Sequence, residues 1–132
     1  KSTREKAGFK KILENNNDSK YPIFIDIIQL EKLVNQDRKF TIELLQSFAS
    51  TASAELKSAK EKWEAGNIED CKKTLHGLKG TMLNLHIKYG LQNIIDLENT
   101  ISLISPEQTS YCFDEIEFKL RELESFIDQL AV

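Results

Sequence analysis

Residues 71 to 82, CKKTLHGLKGTM, bring one imidazole, three ammonium groups and two glycines into a single short run. Neutral imidazole is a nucleophile at ordinary cellular pH without an activating partner. On a helix, residues three and four positions apart share a face, so His76 has Lys72, Lys73, Lys79 and Gly80 around it. A phosphoryl group accepted from an acyl phosphate would bring roughly two negative charges to such a ring, and ammonium groups one turn away would stabilise them. Lys79 is best placed for this, with Lys73 on the preceding turn. Glycine inside a helix costs about 1 kcal/mol relative to alanine. At Gly80 the return is access, because no side chain crowds the ring when the active site of a second protein closes over it. Lys72, Gly77, Gly80 and the apolar Leu83, seven positions beyond His76, make up the expected docking face. His86 is expected to pack or cap at the boundary of the core. No metal site is expected: the two histidines stand about 80° apart around the helix, and no cysteine or carboxylate of that helix shares the His76 face to complete four ligands.

The elements that position this cluster are helical. A chain of 132 residues suits one domain, with roughly two-thirds of its unfolded surface buried on folding. The polar stretch 1–22, with the cluster ENNNDSK, reads as a linker or loosely packed extension, and the domain proper as residues 23–132. A short helix is predicted over about 26–34. From Asp37 to about Ala65, apolar residues recur at Phe40, Leu44, Phe48, Ala52, Leu56, Ala59 and Trp63, the stripe of a long amphipathic helix. Gly66 suits its C-terminal cap and Asn67 the N-cap of the next helix. That next helix carries Ile68, Cys71, Leu75, Leu78, Met82 and Leu85 and is predicted to run to about Lys88; His76 lies about 130° from the centre of its apolar stripe and faces out. A fourth helix is predicted from about Leu91 to Leu103. The last opens on Ser105, Pro106 and Gln108, a capping box with proline at the first helical position. Its stripe is Phe113, Ile116, Leu120, Leu123, Ile127 and Leu130. Trp63 and the phenylalanines are expected in the core. The predicted fold is all-α, an antiparallel four-helix bundle with a short additional N-terminal helix.

Charge sharpens the picture. The chain holds 18 basic and 21 acidic residues, a net of −3, which argues against a nucleic-acid surface as its main business. Residues 71 to 90 contain four of the lysines and no carboxylate, leaving 14 basic and 21 acidic residues elsewhere, a net of −7. Positive charge is gathered around the histidine. Cys71 and Cys112 form no CxxC or zinc spacing and read as buried, inert thiols of a reduced, cytoplasmic setting. No apolar run approaches the roughly 20 residues of a membrane span. The opening on Lys1 reads as a domain cut from a longer protein.

The run His76-Gly77-Leu78-Lys79-Gly80-Thr81, followed by Asn84-Leu85, resembles the His-x-Leu-Lys-Gly-Ser/Thr signature of histidine phosphotransfer (HPt) domains of two-component phosphorelays. The resemblance extends upstream to the Phe48 helix and the turn Ala65-Gly66-Asn67, downstream to Leu97-Glu98, and covers about residues 26 to 130. It implies a four-helix bundle presenting His76 as phosphoacceptor, with upstream and downstream response-regulator receiver domains as partners, no cofactor of its own, and magnesium belonging to the receiver. It also implies the HPt module of a hybrid sensor histidine kinase, tethered to a membrane sensor through the N-terminal linker. Two departures stand out: His86 replaces the small residue that commonly follows Asn-Leu, and Gly90 replaces a leucine. Both concern packing between neighbouring helices.

The expectation is a monomeric phosphorelay carrier, not an enzyme, since the chain lacks a P-loop, a GxGxxG and a carboxylate cluster for a nucleotide's metal. The competing readings are a phosphoaccepting domain fed directly by an ATP-binding kinase core, the dimerisation helices of a sensor kinase, and a helical interaction module with an incidental histidine. Sensor-kinase dimerisation helices usually carry an acidic residue after the histidine and a proline a few residues on, where this chain has Gly77 and Thr81.

Overall fold

Asp37 opens the first described helix, α1 (Arg38–Glu64), by accepting the Phe40 N–H on its carboxylate at 3.0 Å, which satisfies one of the donors that a helix start leaves unpaired. The computed structural model describes Lys32, Asn35 and residues 37–131. The stretch 1–22 lies outside the described residues, as does all but Lys32 of the short helix expected over 26–34. Helix α1 buries Thr41, Leu45, Phe48, Ala49, Ala52, Leu56 and Ala59. Its inward face is therefore displaced from the predicted stripe at the N-terminal end: Phe40 is 49% exposed and Leu44 partly buried, while Leu45 is fully buried. The physical reason is that α1 packs on two neighbours rather than one, and a face shared between them is broader than a single stripe.

The turn between the first two helices is a Schellman motif. Gly66 takes φ +84°, its N–H donates to Trp63 O at 3.0 Å, and the Asn67 N–H donates to Lys62 O at 2.8 Å, which closes the last turn. Asn67 does not cap α2 (Ile68–Asn84) with its side chain, contrary to expectation. Its backbone is used instead, with its carbonyl accepting the Cys71 N–H at 3.0 Å.

Helix α2 ends at Asn84, short of the predicted Lys88, through a second Schellman motif. The Ile87 N–H donates to Met82 O at 2.9 Å and the His86 N–H to Leu83 O at 3.2 Å. The residue in the left-handed position is His86, at φ +57°, where glycine is the usual occupant. Met82 and Ile87, the positions at which such a cap usually carries apolar residues, are both fully buried. His86 thus caps, as expected of a boundary histidine, but by its backbone.

Gly90, at φ +83°, leads into α3 (Leu91–Thr100). This helix also stops short of its predicted end at Leu103: the N–H groups of Leu103 and Ile104 both return to Thr100 O, at 2.7 and 3.1 Å. The chain must leave the helix here because Ser105 begins the next one. In α4 (Pro106–Ala131) the predicted capping box is complete. Ser105 N–H donates to Gln108 Oε1 at 3.0 Å and Gln108 N–H to Ser105 Oγ at 3.1 Å.

Among the described residues the protein is all-helical, with α1 packed on α2 and α4, α2 on α3, and α3 on α4. One apolar core joins them, with Leu45, Leu75, Met82, Ile94, Leu97, Phe113, Ile116 and Phe126 among its most buried side chains. Each such side chain contributes about 1.5 to 3 kcal/mol relative to exposure. Trp63 is only partly buried and stacks at a tilt on Phe113, ring centroids 5.7 Å apart. Phe118, like Phe40, is half exposed at 52%, so the phenylalanines are not uniformly core. Cys71 is buried and Cys112 half-buried, and both are free thiols. Burial pushes the Cys71 thiol up to about 11 against a smaller opposing pull from Lys62. Burial, then Glu115 and Asp96, raises that of Cys112. No described helix is long and apolar enough to cross a membrane.

Candidate functional site

His76 sits midway along α2, on the side opposite the buried Cys71, Leu75, Leu78 and Met82. Its side chain is 66% exposed, so the outward orientation expected from helical phase is what the structure has. Lys73 and Gly77 are exposed on the same stretch, with Lys72 and Gly80 intermediate. Leu83 is 53% exposed. A Cβ built on Gly77 or on Gly80 would meet nothing within 4 Å. Neither glycine is required by packing within the fold, so their cost to the helix is not repaid there. The Thr81 hydroxyl donates back to Gly77 O at 3.1 Å and so is engaged within α2.

The residue absent from the expectation is Glu98. Helix α3 buries Ile94 and Leu97 toward the core, and the next position, Glu98, projects along the α2 side of the interface. Its Oε2 lies 3.1 Å from His76 Nδ1, and its Oε1 lies 3.2 Å from Lys79 Nζ. A carboxylate oxygen facing a ring nitrogen accepts, so the tautomer that satisfies this contact has its hydrogen on Nδ1. The second ring nitrogen, Nε2, on the opposite edge of the imidazole, then holds the lone pair. The Lys79 contact is an ion pair outside the alignment of a hydrogen bond. Glu98 is largely covered, with 16% of its side chain exposed, and Lys79 is 23% exposed, so this cluster is less screened than an open surface pair.

The cationic patch around His76 is therefore not free of carboxylate, as the count over residues 71 to 90 implied. Its missing anion arrives from α3, 22 positions away. Lys79 and His76 share that anion. Lys72 and Lys73 lie on the same helix without contact to Glu98. The signal that could have pointed to Glu98 is its place in the Leu97-Glu98 pair noted in the sequence.

An open groove of about 440 Å³ between α1 and α2 is lined by Leu44, Phe48, Ala52, Gly77, Thr81 and Leu85 among others, and takes in neither His76 nor Lys79 nor Glu98. A second, of about 460 Å³ between α1 and α4, is lined by Lys57, Lys60, Glu117 and Arg121 among others and includes no member of the His76 cluster. Of the two, the first includes the chain neighbour of the histidine, Gly77. No protein family, characterised protein or solved structure matches the chain, so what the site can do follows from its residues and their geometry.

Proposed function

We propose that this chain is a phosphorelay carrier of the histidine phosphotransfer type, built as an antiparallel four-helix bundle, in which His76 takes a phosphoryl group from a receiver-domain aspartyl phosphate and passes it to another receiver aspartate. The observation that carries the reading is an exposed imidazole whose Nδ1 is engaged by Glu98, leaving Nε2 as the nucleophilic nitrogen, with Lys79 beside it and side-chain cover missing at Gly77 and Gly80. In the transfer, the Nε2 lone pair forms the new bond to phosphorus, the bond from phosphorus to the aspartyl oxygen breaks, and its electron pair returns to the aspartate carboxylate. Lys79, with Lys73 on the turn before, offsets the charge that arrives. Lys72, Gly77, Gly80 and Leu83, on the outward side of α2, make up the face a receiver would cover. The carrier acts as a cytoplasmic monomer, binds no nucleotide and is not itself an enzyme.

The test is to incubate the chain with a receiver domain carrying radiolabelled aspartyl phosphate and to follow acid-labile, alkali-stable label. The expected result is label on the wild type and none on His76→Gln. Equal labelling of both, or none on the wild type from any receiver, would overturn the reading. Label obtained only from ATP through a kinase core would transfer it to the directly fed phosphoacceptor.

A further inference from the structure

From the contacts on the far flank of α3 we infer that Lys119, on α4, is a positioning residue for the His76 site: it fixes the roll of α3 about its own axis and so sets where Glu98 stands against α2. The inference rests on the proposed role of His76 and deepens it, since it places a determinant of the site's reactivity on a helix other than the two that form it.

Helix α3 has ten residues and buries only Ile94 and Leu97 of them. Hydrophobic burial is non-directional, so two apolar anchors fix the depth of so short a helix more firmly than its roll. Polar contacts stand on both flanks of this buried strip. At 100° per residue, Asn93 lies about 40° beyond Leu97 on one side and Glu98 about 40° beyond Ile94 on the other. Glu98 faces α2, with Oε2 3.1 Å from His76 Nδ1 and Oε1 3.2 Å from Lys79 Nζ. Asn93 faces α4, where Lys119 Nζ donates to its Oδ1 at 2.7 Å and its own Nδ2 donates to Glu115 Oε2 at 3.5 Å. Any roll of α3 moves the two flanks together. With side-chain ends about 5 Å from the axis, a roll of about 10° carries the Glu98 carboxylate about 1 Å. A 3.1 Å contact lengthened by that much is no longer a hydrogen bond.

Lys119 gathers the α4 flank. Besides holding Asn93, its ammonium lies 5.5 Å from the centre of the Tyr89 ring, within the range of a cation–π contact. Its Cβ lies 3.6 Å from where a side chain on Gly90 would begin, so its stem runs against the backbone that opens α3. Tyr89, Gly90 and Asn93, the entry to the helix, thus all bear on one half-buried lysine. Tyr89 is held in turn by donating its hydroxyl to Glu122, also on α4. Removing the Lys119 ammonium takes away both the Asn93 bond and the ring contact at once, which frees the roll of α3 while its apolar anchors stay buried.

The experiment compares the full chain with Lys119→Met, which keeps a long apolar stem and removes the charge, with Lys119→Arg, which keeps the charge and the donors, and with Asn93→Ala. Two quantities are read well below the unfolding temperature: the rate at which phosphoramidate, a small phosphoryl donor needing no receiver, loads His76, and the nitrogen-15 signals of the His76 ring, which report where its hydrogen sits. Lys119→Met and Asn93→Ala are expected to load about fivefold more slowly and to move the ring signals away from the pattern with hydrogen on Nδ1. Lys119→Arg should stay close to the wild type in both. A merely structural clamp would lower the melting temperature and leave loading rate and ring signals in place, and that result overturns the inference. So would a Tyr89→Phe variant, which loses the Glu122 bond but keeps the ring, if it altered both as much as Lys119→Met does, because the effect would then be a general loosening. Failure of the carrier reading shows separately, as a wild type that takes no phosphoryl group at His76; the ring signals of the variants still decide whether Lys119 governs the Glu98 contact.

Discussion

At the scale of single residues, the site sets exposure against burial. His76 can be changed without harm to the core because its ring is mostly in solvent, so His76→Gln should leave the melting temperature within about 2 °C of wild type while abolishing transfer, as read by calorimetry and phosphoryl labelling in parallel. Lys79 is different, because its removal leaves the covered Glu98 Oε1 without a cation. Lys79→Ala is therefore expected to slow transfer from a phosphorylated receiver by about tenfold and to lower stability by about 1 kcal/mol; denaturant unfolding checks the second effect. Gly80 faces open space, so Gly80→Gln should stabilise α2 by about 0.5 kcal/mol through helix propensity. On the access argument it should nonetheless block transfer from a receiver, and transfer at the normal rate would end that argument.

At the scale of elements, the helix ends decide where the functional face begins and stops. The left-handed position that closes α2 is occupied by His86 at φ +57°, a conformation that costs a residue with a side chain about 1 kcal/mol. His86→Gly is expected to recover about that much, seen as a higher denaturant midpoint at unchanged slope, with phosphoryl acceptance at His76 untouched. The reciprocal hydrogen bonds of Ser105 and Gln108 carry the opposite sign: Ser105→Ala should cost about 1 kcal/mol. Two predicted helices overran their real ends because apolar periodicity continues past the point where the backbone turns. Leu85 and Ile87 keep the pattern alive beyond Asn84, and Leu103 does so beyond Thr100. A polar backbone event, not side-chain phase, stops each helix.

At the scale of the whole molecule, the core couples the four described helices, and Cys71 reports on it. Its thiol is held neutral by burial, up to about 11 from an ordinary 9.0. The folded form binds this proton more tightly than the unfolded one, so the associated stability is fully present below about pH 9 and is lost as pH rises toward about 11. Cys71→Ala should flatten that part of the alkaline unfolding profile. In the native protein at pH 8, a thiol reagent should modify Cys112 well before Cys71, which is 0% exposed; equal rates would mean that the α2 face opens readily. Leu75→Ala, at the centre of the same face, should cost about 2 to 5 kcal/mol.

The amino-acid sequence by itself determined that the described chain is helical, that Ser105 starts its last helix and that His76 points away from the core, because caps and the 3.6-residue period are local properties of consecutive residues. It also marked Lys79 and Gly80 as neighbours of the histidine, since three and four positions along one helix are adjacent whatever else the chain does. It did not place Glu98 against His76 Nδ1, nor show that Leu45 rather than Leu44 faces the core. Those depend on the register and rotation of one helix against another, which packing of the shared core settles only when all the helices are assembled.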